Sequence, residues 1–207
     1  MKISILLPYK ENFSPLYAGA VSLFVKDTTK ISKFKNITTI YGSTNLKKIF
    51  NLNYKNILLK KNIVQSGSKV YVNEFLKYEK NLPSDIIEVH NRPNYFHLIH
   101  DRIKNQKIIL YFHNDPLTMT GSRSVNDRKK ILKNATKIIF NSHWSRKRFL
   151  DGIEGLHYNS EKMNVIYQST SKKKVNIENK KKWITFVGKL NRAKGYDLFG
   201  KAVLKIL

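Results

Sequence analysis

The sequence predicts an α/β fold: a parallel β-sheet covered by helices on both faces. Two observations carry this. Short apolar runs alternate with helix-length amphipathic segments along most of the chain, which is the rhythm of βα units. Two of the runs also end in similar polar clusters, Glu88-Val89-His90-Asn91-Arg92-Pro93 and Tyr111-Phe112-His113-Asn114-Asp115-Pro116. Polar side chains at the carboxyl ends of parallel strands face a ligand crevice.

The elements follow in order. Lys2–Leu7 reads as the first strand. A helix over Tyr17–Ser32 places Ala20, Leu23, Phe24, Asp27 and Ile31 at helical spacing. Strands are expected at Asn36–Tyr41, closed by Gly42-Ser43, and at Asn56–Lys60. Ser68–Lys80 reads as a helix burying Val72, Phe75 and Leu76. Strands Asp85–His90 and Lys107–His113 flank a helical stretch through Tyr95, Leu98 and Ile99. Then come helix Ser124–Asn134, strand Lys137–Asn141, helix Ser142–Leu150 with a serine cap, and strand Lys162–Ile166. Trp144 and Phe149 are expected to pack the helix that contains them, and Arg146, Lys147 and Arg148 to form a solvated basic face.

Residues 1–170 are therefore expected to form one domain. A polar, lysine-rich stretch, 171–182, reads as a linker. Residues 183–207 read as a strand, Trp183–Gly188, and a helix, Tyr196–Leu207, opening a second domain. One strand and one helix cannot enclose a core, so that domain is expected to be truncated.

Composition narrows the function. With 207 residues, 41% of them hydrophobic, the chain has the material for a core. No apolar run reaches transmembrane length, and the opening residues lack the features of a signal peptide. There are no cysteines, which excludes disulfides and thiolate metal sites and is compatible with a cytoplasmic setting. The net charge of +25 suits an anionic partner: nucleic acid, a membrane headgroup surface or a phosphorylated substrate. Lysine dominates arginine, 32 to 7, which points to a compositional bias in the coding sequence rather than to base-reading arginine forks. No nucleic-acid motif or aromatic platform is recognisable. Peripheral adhesion to the anionic inner face of a cell membrane fits the charge.

The candidate chemistry lies at the expected strand ends. Gly19 and Ala20 open the first helix, where small residues let a phosphate approach free backbone N–H groups. The Gly-x-Gly-x-x-Gly fingerprint of dinucleotide oxidoreductases is absent. His90, Asn91 and Arg92 end one strand; His113, Asn114 and Asp115 end the next. A histidine here could donate to a sugar hydroxyl or a departing phosphate, and Asp115 could accept from hydroxyls. Arg123 lies in a basic loop able to reach an acceptor, and Asn141 ends a further strand. The histidine spacing does not match a metal motif. The run Phe186-Val187-Gly188-Lys189-Leu190-Asn191-Arg192-Ala193-Lys194-Gly195 has the sharpest chemistry. A glycine turn with Lys189, followed by Lys194-Gly195 at a helix start, suits a diphosphate: departure of a nucleoside diphosphate develops negative charge, which nearby cations stabilise.

Together these pieces resemble the two-Rossmann-domain glycosyltransferases called GT-B, in the retaining family 4. The resemblance spans the whole chain: an N-terminal Rossmann-like domain, and the first strand and helix of the donor-binding domain. It implies a nucleotide-sugar donor held by Lys189, Lys194 and Gly195, with Lys189 in place of the family's arginine. It implies a glycine-rich loop at Gly19-Ala20 near donor phosphate and acceptor. His113 would be the active-site histidine beside the transferred sugar. The first domain would bind the acceptor, an envelope glycan or lipid-linked glycan. The family's Glu-x7-Glu element, which contacts donor sugar and ribose, is missing, so the chain alone is expected to have little or no transferase activity. The family's chemistry needs no cofactor or divalent metal, because cations and N–H groups meet the diphosphate.

Overall fold

The structure, a computed structural model, describes residues 1–59, 66–103, 105–154, 158–169, 181, 183–188, 190 and 192–206. The chain divides into two units, Met1–Ser169 and Thr170–Leu207.

The first unit is an α/β Rossmann-like domain. Its strands are β1 (Ile3–Leu6), β2 (Thr38–Gly42), β3 (Tyr54–Asn56), β4 (Ile86–His90), β5 (Lys107–Phe112), β6 (Lys137–Phe140) and β7 (Met163–Val165). They form one sheet in the order β3-β2-β1-β4-β5-β6-β7. Every pairing is parallel. The order reverses between β1 and β4, so the loops leaving these two strands diverge. That is the switch point at which such sheets open a crevice.

Helices α1 (Ala20–Ile31), α2 (Gly67–Asn81), α3 (Pro93–His100), α4 (Val125–Asn134) and α5 (His143–Leu150) connect the strands. Their ends are set by local chemistry. Ser66, Ser124 and Ser142 each cap a helix by accepting a backbone N–H. Pro93 sits in the first turn of α3, where its missing N–H costs nothing. Successive side chains on a strand point to opposite faces, and two cores result. Ile3, Ile5, Leu7 and Ile40 pack with Val21 and Val25 of α1 and with Phe13. Leu6, Val89, Leu110 and Phe112 belong to the other core, with Phe75 of α2, Tyr95 of α3, Ile131 of α4 and Phe149 of α5. Phe112, Phe140 and Phe149 meet ring to ring at 5.3–5.4 Å. Truncating one of them costs about 3–5 kcal/mol.

Several expectations need correction. β3 covers Tyr54–Asn56, not Asn56–Lys60, because its one partner among the described residues, β2, ends at Gly42, which faces Asn56; residues 60–65 lie outside the described residues. The buried stripe of α1 is Val21, Ser22, Val25 and Thr29. Leu23 and Ile31 face outward, at 43% and 86% exposure. Trp144 is also outward; Phe149, with Leu150 partly buried against the same cluster, packs α5 into the core.

In the second unit, a 3-10 turn, Arg192–Lys194, leads into α6 (Tyr196–Val203). Gly195 has φ of +72°, the left-handed conformation that suits glycine. Trp183–Gly188 is not a strand: among the described residues this unit offers no second strand for a ladder. The ring of Phe186 instead meets those of Tyr196 and Phe199. Among the described residues no helix is long and apolar enough to cross a membrane.

Candidate functional site

The carboxyl ends of β4, β5 and β6 build the site around His113. His113 follows β5 directly. Its backbone is held from both sides. The Oδ1 of Asn91, at the end of β4, accepts its N–H at 3.1 Å, and the Nδ2 of Asn141, at the end of β6, donates to its carbonyl at 2.9 Å. Asn91 adopts a left-handed φ of +56°, which asparagine tolerates better than most residues. The Oδ1 of Asn141 in turn accepts from the hydroxyl of Ser145 at 2.9 Å. The two asparagines thus use their amides to fix a histidine.

The His113 ring is engaged at both nitrogens. Its Nε2 lies 3.1 Å from Nδ1 of His90, and its Nδ1 lies 2.8 Å from Nε2 of Gln168. His90 continues the chain inward: its Nε2 lies 3.4 Å from Glu88 Oε2. Glu88 and His90 share a sheet face because they are two residues apart on one strand. The rings of Tyr111 and Phe24 complete the packing. Tyr111 stacks on His90 at 4.3 Å, and Phe24 of α1 meets His113 edge-on at 5.1 Å. Burial, reinforced by His90, pushes the His113 pKa from 6.5 down to about 3. The ring is therefore neutral at any physiological pH. Burial, with the nearby Glu88 carboxylate, pushes the Tyr111 hydroxyl up, so it stays protonated.

The other residues expected at this rim make the following contacts within the protein. Asp115 accepts the N–H of Leu117 at 3.0 Å, capping the 3-10 turn Pro116–Thr118, and pairs with Arg148 at 3.4 Å. It is a cap and an ion-pair partner. Arg148, expected on a solvated basic face, is thus partly exposed and held in an ion pair. Arg123 folds back onto the Thr118 carbonyl at 3.2 Å. Arg92 donates to the Asn91 carbonyl at 2.8 Å, and Asn114 is exposed. The buried Arg128 donates to the carbonyls of Ser122, Arg123 and Asp151, tying the loop after β5 to the end of α5.

Gly19 and Ala20 open α1 as expected, but a carboxylate already occupies the anion position there. Glu11 Oε1 accepts the N–H of Ser22 at 3.1 Å. A Cβ at residue 19 would collide with the Glu11 carboxyl group. The bare glycine thus makes room for Glu11, which meets the positive helix end as a phosphate would.

Lys189 lies outside the described residues. Lys194 and Gly195 belong to the second unit and are described only there. Among the described residues no cluster of three or more His, Cys, Asp or Glu side chains could hold a metal ion.

Gln168, Glu11 and Phe24 were not expected at the site. The sequence marks Glu88 only as part of the polar cluster that ends its strand, two residues before His90.

The sequence matches no protein-family model and no curated protein. Solved structures share the fold. Anabaena Alr3699/HepE, crystallised in complex with UDP and glucose and with UDP-glucose, matches with a TM-score of 0.55 at 16% identity. In the complex with UDP and glucose, the match covers 82% of this chain and 45% of that one. The sucrose-phosphate synthase tll1590 of Thermosynechococcus elongatus matches with a TM-score of 0.55 at 10% identity, over 82% of this chain and 49% of that one. A shorter portion of the same synthase, residues 27–220 and 406–426, matches with a TM-score of 0.51 at 11% identity, over 82% of this chain and 90% of that portion. The likeness is one of fold. This chain spans just under half the length of HepE and of the full synthase.

Proposed function

We propose that this chain is the N-terminal part of a GT-B glycosyltransferase of the retaining family 4. It moves a sugar from a nucleotide-sugar donor to an envelope glycan or lipid-linked acceptor. In this reading residues 1–170 bind the acceptor, 171–182 link, and 183–207 open the donor-binding domain. The setting is cytoplasmic, at the inner membrane face, where the charge of +25 favours anionic headgroups. The observation that carries the reading is His113. It is a neutral, doubly clamped histidine at the carboxyl rim of a parallel sheet, one strand away from the switch point. The HepE complexes with UDP and UDP-glucose support the donor class by likeness of fold.

The chemistry follows from these parts. His113 contacts the transferred sugar. Lys189, Lys194 and Gly195 hold the donor diphosphate and stabilise the charge that develops as it leaves. Gly19 and Ala20 take part once a phosphate replaces the Glu11 carboxylate. No divalent metal is needed, so EDTA should leave donor binding unchanged; loss with EDTA and recovery with Mg²⁺ would contradict this.

The test is binding of UDP-glucose by the full chain and by His113→Ala. Binding weakened by the substitution supports the proposal. Binding indifferent to it, together with tight, salt-sensitive RNA binding, would overturn it. A second reading, an inactive glycan- or membrane-binding module, rests on the same charge. It predicts retained glycan or liposome binding without sugar transfer. Transfer by this chain above the His113→Ala level would exclude it.

A further inference from the structure

Glu88, His90, His113 and Gln168 form a chain of hydrogen-bonding groups running up one sheet face to the rim. Its direction follows from its two ends. An ionised carboxylate only accepts, so the Nε2 of His90 carries the hydrogen facing Glu88. At the outer end the Gln168 amide nitrogen, which only donates, faces Nδ1 of His113; the neutral His113 ring has one N–H, at Nε2, and the Nδ1 of His90 accepts it. That leaves Nδ1 of His113 bare at the rim, and there the Gln168 amide N–H₂ donates to it. We propose that Glu88, acting through His90, fixes His113 as the Nε2–H tautomer and so presents its Nδ1 to ligands as a hydrogen-bond acceptor.

The consequence is a substrate class. A bare nitrogen lone pair accepts from a hydroxyl or an amide N–H, and it repels a phosphate oxygen. His113 therefore recognises a neutral donor group, a sugar hydroxyl, and not the diphosphate. The exposed Gln168 side chain holds the place of that hydroxyl in the ligand-free protein. The expectation that His113 could donate to a departing phosphate is thereby replaced: its N–H points inward. Glu88 and His90 are positioning residues, acting through His113. This refinement rests on the sugar-binding reading for the identity of the ligand, but the tautomer itself does not.

The test is the imidazole ¹⁵N–¹H correlation spectrum of the full chain, ligand-free, at neutral pH. The expected result is His113 protonated at Nε2 and bare at Nδ1. Glu88→Gln, which can donate as well as accept, should bring in the Nδ1–H form, and so should His90→Phe, which removes the inward acceptor. An Nδ1–H tautomer in the unsubstituted protein would overturn the inference, as would a tautomer unmoved by both substitutions. The unsubstituted spectrum decides the first point even if a variant fails to fold. Failure of UDP-glucose binding would leave this tautomer in place, so the two proposals fail separately.

Discussion

Arg148 of α5 reaches Asp115 across the loop that follows β5, with Nη2 3.4 Å from Oδ2. The same guanidinium bridges to Asp151 at 3.2 Å. One arginine thus joins the start of the Pro116–Thr118 turn to the end of α5. Asp115 also caps that turn, so its carboxylate serves the shape of the rim. Asp115→Ala should cost about 1–2 kcal/mol, a lost cap and a partly exposed ion pair. Urea denaturation reads this directly, and an unchanged midpoint would show that the cap contributes nothing.

Gly19 and Glu11 should be energetically coupled. Gly19→Ala pushes the Glu11 carboxyl group from the N–H of Ser22. A lost charge-assisted bond at a helix start costs about 1 kcal/mol. In a Glu11→Ala background the same Gly19→Ala change should cost much less, because no carboxylate remains to displace. A double-mutant cycle measures the difference. Equal costs in both backgrounds would mean that the cavity at residue 19 does not belong to Glu11.

Acid should weaken the fold through His113. Its folded pKa, about 3, lies below its ordinary 6.5. The unfolded chain therefore takes the proton first. The stabilisation is complete above about pH 6.5 and is lost as the pH falls toward 3, by up to about 1.4 kcal/mol per pH unit. His113→Asn removes this contribution. Between pH 7 and pH 5 the unsubstituted protein should lose more stability than the variant. Equal losses in urea titrations would contradict the partly buried, neutral histidine.

Arg128 should be among the costlier polar positions. It is buried, and its guanidinium donates to three carbonyls. Arg128→Met keeps the bulk and removes every donor, which should cost about 3 kcal/mol. Thermal unfolding checks this; a loss under half that size would mean the loop after β5 holds itself.

The sequence made the strand-helix rhythm legible because buried parallel strands and capped helices leave local signals. Ser66, Ser124 and Ser142 mark helix starts by chemistry that needs no tertiary context. The position of β3 is not legible in its own apolar residues, because its end is set by Gly42 on the neighbouring strand. The buried stripe of α1 is ambiguous in the sequence because Leu23 and Ile31 fit a helical period as well as Val21 and Val25 do. The rim was legible as His90 and His113 on adjacent strands. Gln168 beside His113, and Glu11 at the start of α1, were not legible, since both come from loops and no pattern along the chain couples them to these places. Arg148 looked like one of three basic neighbours until α5 was placed beside Asp115.

The most direct test follows the backbone amide resonances of the full chain during titration with UDP-glucose. The account predicts saturable shifts centred on His113, Asn91, Asn141 and Gln168, absent in His113→Ala. Saturable shifts centred at the opposite end of the sheet, around Glu79 and Arg102, would contradict it, as would no saturable shift at any amide.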